Sequence, residues 1–280
     1  MDIVLTMDST GSMRNVVTEV RKKIKETCEY LFTKIPDLRI GLIVHGDYYD
    51  REQCIQKLDL TNDFNVIKRF IDSSENTNGG DAAECYEYVL NQAKEFSWRN
   101  GPKALVVVGD NLPHYVGYPT QHYSYFKLPH NLNIRWDIEA KDLLKLGIPV
   151  YPVYAETGAR VKGGFWEQVA KICNTPCLDL NNFADINGIL CGVCMSGIGR
   201  ISEYRDDVVA SGEATEGVMG AIRMLMDNED KFTSVYNPMT EEVGSVASSI
   251  KTLDTTSKKK KTAKTTKTLK RDAKGRFAKA

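Results

Sequence analysis

The chain has 280 residues, 42% of them hydrophobic and 9% aromatic, with 37 basic against 37 acidic side chains. Such a chain suits a soluble globular protein with one sizeable core, and no stretch approaches the ~18 apolar residues of a membrane span. The neutral balance hides an asymmetry: from Ser257 to the end nine Lys and two Arg face one Asp, so an acidic body carries a basic tail.

The opening "MDIVLTMD" has no basic stretch followed by a long apolar run, which points to a cytoplasmic, intracellular protein. Seven cysteines form an odd set spread through patterned segments, which suits reduced thiols better than a secreted disulfide framework.

In chain order, residues 2–7 read as a buried strand. From Gly11 a helix follows, with Val16, Val17, Val20, Ile24, Cys28, Leu31 and Phe32 at spacings of three and four. "LRIGLIVHGDY" (38–48) and "CIQKLDLT" (54–61) predict a hairpin whose second strand is an antiparallel edge. A short helix at 63–71 precedes "NTNGGD", and residues 82–96 have helical periodicity through Cys85, Val89 and Ala93. "KALVVVGD" is a strand covered on both faces, and the polar, aromatic stretch 111–133 is long for a simple connection.

A helix near 135–146, the strand "IPVYPVY", a helix at 164–173, the strand "PCLDL" and a helix from Asn182 to about Cys194 complete an alternating series. The expected fold is therefore α/β, doubly wound and Rossmann-like, with a mainly parallel sheet, one antiparallel edge strand and helices on both faces. Beyond Gly199 the pattern weakens. One amphipathic helix fits 213–227, residues 200–256 form a helical or irregular extension, and 257–280 is a basic tail too poor in apolar residues to order itself.

Ligands of an open parallel sheet collect beyond the carboxyl ends of its strands, where three segments converge. Asp8, Thr10 and Ser12 follow the first strand, Asp81 follows "NGG", and Asp110 ends "VVVGD". Carboxylates and hydroxyls, with no thiol or imidazole among them, favour Mg²⁺ or Mn²⁺ over Zn²⁺. The bland alternative is that Asp8 or Ser9 merely caps the first helix.

Asp8-Ser9-Thr10-Gly11-Ser12 has the D-x-[ST]-x-S form of the metal-ion-dependent adhesion site of von Willebrand factor type A domains. The resemblance continues through "RIGLIVHGDYYD", "GGDAAECYEYVL" and "VVVGDNLPH", covers residues 2–198, and is closest to the A domains that accompany alpha-type kinases. It implies that Asp8, Thr10, Ser12, Asp81 and Asp110 surround the ion. It also implies a partner protein that supplies an acidic residue to that ion. Thr10 stands where Ser is commoner, and Asp81 where many members have Thr. Three carboxylates then make the ion a weaker Lewis acid toward a partner carboxylate.

His114, Tyr115 and Tyr118 beyond Asp110 suit an aromatic recognition rim. Cys173, Cys177, Cys191 and Cys194 have the spacing of a four-cysteine zinc site, although core packing also explains them. The tail residues Lys258, Lys259, Lys260, Lys261, Lys264, Lys267, Lys270, Arg271, Lys274 and Arg276 could hold nucleic acid or another polyanion without reading its sequence.

The resulting expectation is a non-catalytic, metal-dependent protein-binding module with a tethering tail. The rival is a Mg²⁺-dependent phosphatase of haloacid-dehalogenase type, whose nucleophilic Asp needs a second Asp two residues on, where this chain has Thr10. The chain has no G-x-x-x-x-G-K-[ST] loop for nucleotide phosphates, and the stretch used by the resemblance leaves too little length for a kinase domain.

Overall fold

The structure, a computed structural model, describes residues 1–118, 133–155 and 164–235, with side chains through residue 229. The tail residues named above lie outside the described residues.

Six strands form the main sheet: β1 (Asp2–Asp8), β2 (Arg39–His45), β3 (Ile55–Thr61), β5 (Lys103–Gly109), β7 (Val150–Ala155) and β8 (Leu178–Leu180). Their order is β3-β2-β1-β5-β7-β8, parallel throughout except for the antiparallel pair β2/β3. This is the doubly wound α/β fold with an antiparallel edge. The central strands are apolar because both faces are covered. Ile3, Leu5 and Met7 enter one core with residues of α1 (Arg14–Lys34), α2 (Phe64–Ser73) and α6 (Ile186–Ser196). Val4 enters the other with residues of α3 (Tyr86–Ala93), α4 (Trp136–Lys145) and α5 (Phe165–Cys173). Each such aliphatic side chain contributes about 1.5–3 kcal/mol on burial. Edge strand β3 keeps Lys57 and Asp59 exposed, which discourages pairing with another chain.

The packed unit runs from Met1 to Ser234, beyond the boundary at residue 199 expected from the sequence. Helix α7 (Ile201–Ser211) was not legible in the chain, and α8 (Glu216–Val235) is longer than the expected segment. Ile201, Tyr204 and Val208 of α7 and Val218, Ala221, Ile222 and Leu225 of α8 join the α1 core. Residues 82–96 are also less helical than their periodicity implied. Ala83–Glu84 is a short strand, β4, paired in parallel with β6 (Leu112–Pro113), and α3 starts only at Tyr86.

The four cysteines with zinc-like spacing cannot share an ion. Cys173 and Cys177 pack in the core on one face of the sheet, Cys191 and Cys194 in the core on the other. None of the seven cysteines is in a disulfide, and all are buried.

At the amino end of β1, Asp2 is only 2% exposed and is clamped by two guanidinium groups. Arg39 reaches its two oxygens at 3.0 and 2.7 Å; Arg99 adds its backbone N–H at 2.8 Å and its side chain at 3.0 and 2.7 Å. Burial alone would raise the Asp2 pKa, but these hydrogen bonds outweigh it and hold the carboxyl at about 2. A depressed folded pKa stabilises above the unfolded value near 4 and is lost as pH falls through 2. Urea unfolding of the wild type at pH 6 and pH 2.5 should show an acid loss, of which Asp2 accounts for about 2 kcal/mol and which Asp2→Asn lacks.

Candidate metal centre

The β1 carboxyl end delivers Asp8 into a fully buried position. Neither the short 3₁₀ turn Gly11–Met13 nor α1 has a side-chain cap, so Asp8 is not a helix cap. Its Oδ1 instead accepts from Thr10 N–H at 2.8 Å and Thr10 Oγ1–H at 2.6 Å. Its Oδ2 accepts from the Tyr86 hydroxyl at 2.7 Å. The same phenol oxygen accepts from Asp110 N–H at 3.2 Å, tying the ends of β1 and β5 together through the first residue of α3.

Tyr86 can sit there because Gly109 has no side chain: a Cβ at that position would lie 2.1 Å from the Tyr86 hydroxyl oxygen. Phe165 stacks on the Tyr86 ring and Trp166 meets it edge-on, at centroid distances of 5.6 and 5.1 Å. Ser9 points elsewhere, bonding the His45 carbonyl and the Thr77 hydroxyl at 2.9 Å each. Ser12 is exposed on the 3₁₀ turn.

The sequence reading missed Glu84. This carboxyl is 3% exposed, and among the described residues its Oε2 has no hydrogen-bond partner. Burial first, then the charges of Asp8, Asp47 and Asp110, push its pKa up to about 10. Burial likewise raises Asp8 to about 6, against the lowering effect of its hydrogen bonds from Thr10 and Tyr86. His45 supplies no compensating positive charge, since burial lowers its pKa to about 4. Burying ionisable acids together carries a cost that a bound cation would offset.

Asp81 lies in a second, neighbouring group. The β2 end and β6 bring Asp47 and His114 together, with His114 Nε2 2.6 Å from Asp47 Oδ1. One ligand atom from each of Asp47, Asp81 and His114 lies within 4.8 Å of the other two, and the three could hold a metal ion. Asp81 Oδ1 accepts from Ala83 N–H at 2.9 Å and Oδ2 from the Tyr118 hydroxyl at 2.7 Å. An imidazole therefore belongs to the metal-capable region, contrary to the all-oxygen donor set expected from the sequence.

The expected rim is only partly a rim. His114 and Tyr118 are buried, at 4% and 6% exposure, and their rings stack at 3.9 Å. Tyr115 is 56% exposed and, with Val116 at 54% and Leu112 at 38%, forms the apolar surface beside the acidic groups. A sequence signal for Asp47 did exist: a Gly-Asp pair, Gly46-Asp47, follows the β2 run as Gly109-Asp110 closes the β5 run. Glu84 gave none, as a single acid inside a segment read as helical.

No family model and no curated protein matches the chain. Among solved structures it is similar to the pilus adhesin SpaC from Lactobacillus rhamnosus GG in its open conformation, at 16% identity and a TM-score of 0.50. A second structure of that adhesin gives 15% and 0.52; in both the match covers 71% of this chain and 30% of the adhesin. Proximal thread matrix protein 1 of the mussel byssus matches at 15% identity and a TM-score of 0.49, over 70% of this chain and 47% of that one. The adhesin likeness is one of fold. Among the described residues no helix is long and apolar enough to cross a membrane.

Proposed function

We propose that this chain is a divalent-metal-dependent protein-binding module of the von Willebrand factor type A kind. In this reading Asp8, Thr10, Ser12, Glu84 and Asp110 hold Mg²⁺ or Mn²⁺, some through water, and the ion takes an acidic side chain of a partner protein. The observation that carries it is the buried Glu84 Oε2, without a hydrogen-bond partner among the described residues and set among the charges of Asp8, Asp47 and Asp110. A hard cation would displace the Glu84 proton, balance the charge so released and supply the missing partner. Tyr115, Val116 and Leu112 form the apolar margin on which the partner docks.

The ion, when bound, acts as a Lewis acid toward the partner's carboxylate. The protein's own residues orient its ligands: Thr10 fixes one oxygen of Asp8, Tyr86 the other, and Gly109 leaves space for Tyr86. The same hydrogen bonds favour binding over phosphatase chemistry. Both Asp8 oxygens are engaged, and the residue two positions on donates to Asp8 and carries no carboxyl group.

The test is capture from an extract with full-length protein, with and without chelator. The expected result is a bound protein that is lost with chelator and with Asp8→Ala, restored by Mg²⁺ or Mn²⁺ in the wild type, and retained when residues 257–280 are deleted. Binding that survives both chelator and Asp8→Ala would overturn the reading. Hydrolysis of an aryl phosphate abolished by Asp8→Asn would replace it with the phosphatase.

A further inference from the structure

The geometry points to a second metal site, separate from the Asp8 group, in which Asp47, Asp81 and His114 bind a first-row divalent transition-metal ion. Their three candidate ligand atoms already lie within 4.8 Å of one another, whereas ligands on one ion, each at about 2.0–2.2 Å, stand no more than about 4.4 Å apart. Only a small closure is required, and Asp81 is the one exposed member of the three.

An unfilled buried acceptor is the independent sign of a ligand. Asp47 is fully buried. Its Oδ1 accepts from Tyr48 N–H at 2.6 Å and faces His114 Nε2, but among the described residues Oδ2 has no hydrogen-bond partner. A buried carboxylate oxygen left in that state is unfavourable, and a bound cation would supply the missing partner.

The surrounding residues hold the ligands as a metal site requires. Asp50 accepts from Asp47 N–H at 2.9 Å and so fixes the turn. Glu87 accepts from His114 N–H at 3.1 Å, and its other oxygen accepts from the Tyr48 hydroxyl at 2.6 Å. Tyr118 stacks on the His114 ring and donates to Asp81, so one side chain positions two ligands.

The donor set decides the class of ion. One imidazole and two carboxylates suit Zn²⁺, Co²⁺, Mn²⁺ or Fe²⁺, while Mg²⁺ prefers oxygen alone and retains its water. The all-oxygen Asp8 group and this mixed group should therefore sort two ions. The assignment does not depend on partner binding at the Asp8 group.

The test titrates Co²⁺, as a spectroscopic probe, into full-length protein with Mg²⁺ in large excess. One Co²⁺ per chain is expected, with visible absorption bands and an affinity that falls at least tenfold in Asp81→Asn and in His114→Gln but persists in Asp8→Asn. Asp81 is exposed, so its variant decides the matter if His114→Gln fails to fold. Absence of Co²⁺ uptake under excess Mg²⁺ would overturn the second site. So would uptake that Asp8→Asn abolishes and Asp81→Asn leaves intact. Separately, loss of chelator-sensitive partner capture with Co²⁺ uptake intact would sink the binding function alone.

Discussion

Glu84→Gln should make the metal-free protein more stable and at the same time remove its response to Mg²⁺ or Mn²⁺. Glu84 has a folded pKa of about 10, above the ordinary 4.5, because burial and then the neighbouring carboxylates disfavour its charge. The sign follows directly. Below pH 4.5 the group is protonated in folded and unfolded chains alike and costs nothing. As pH rises toward 10 the unfolded chain ionises while the folded one must hold its proton, so stability falls. At pH 7 the difference amounts to about 3 kcal/mol, which for a domain of this size corresponds to roughly 5–10 °C in Tm. Glutamine keeps the shape without ionising. Thermal unfolding of both proteins in chelator, from pH 5 to pH 9, should show the wild type losing stability with pH more steeply than the variant. Adding Mg²⁺ should raise the Tm of the wild type alone. Equal metal responses would remove Glu84 from the site.

Gly109→Ala is expected to cost both stability and metal affinity, by a single displacement. The added methyl would lie 2.1 Å from the Tyr86 hydroxyl oxygen and 2.6 Å from two carbons of its ring. Tyr86 is fully buried, with Phe165 and Trp166 against it, so it cannot yield cheaply. Overpacking of this kind costs about 1–3 kcal/mol, and the hydrogen bonds from Tyr86 to Asp8 and from Asp110 to Tyr86 add about 1–3 more. Urea unfolding should register a loss of about 2–6 kcal/mol in total. Calorimetric titration with Mg²⁺ should show at least a tenfold weaker site, because Asp8 loses the group that orients its second oxygen. Tyr86→Phe removes the hydroxyl without adding bulk and should reproduce the loss of affinity with a smaller loss of stability. A wild-type Mg²⁺ affinity in Tyr86→Phe would show that the phenol does not position Asp8.

The sequence by itself determined the sheet and the acids that end its first and fifth strands. A short, β-branched apolar run such as "LVVV", bounded by Gly101-Pro102 and Gly109, suits a strand covered on both faces, and the spacing of Val16, Val20 and Ile24 buries one side of a helix. Asp8 and Asp110 follow those runs directly, so their place at the carboxyl edge required no tertiary information. The tertiary structure alone decided which further side chains stand beside them. Asp81 and Glu84 are three residues apart, and nothing local distinguishes them. The short parallel pairing of Ala83–Glu84 with Leu112–Pro113 decides it: Glu84 is buried where the charges of Asp8, Asp47 and Asp110 reach it, while Asp81 stays exposed beside the buried Asp47 and His114. Burial of His114 and Tyr118 under each other's rings is likewise a product of the β2, β4 and β6 ends meeting in space. Helix α7 shows the same limit in the core: its apolar residues are too sparse to declare a helix, and they are buried because α1, α6 and α8 already present a surface to receive them.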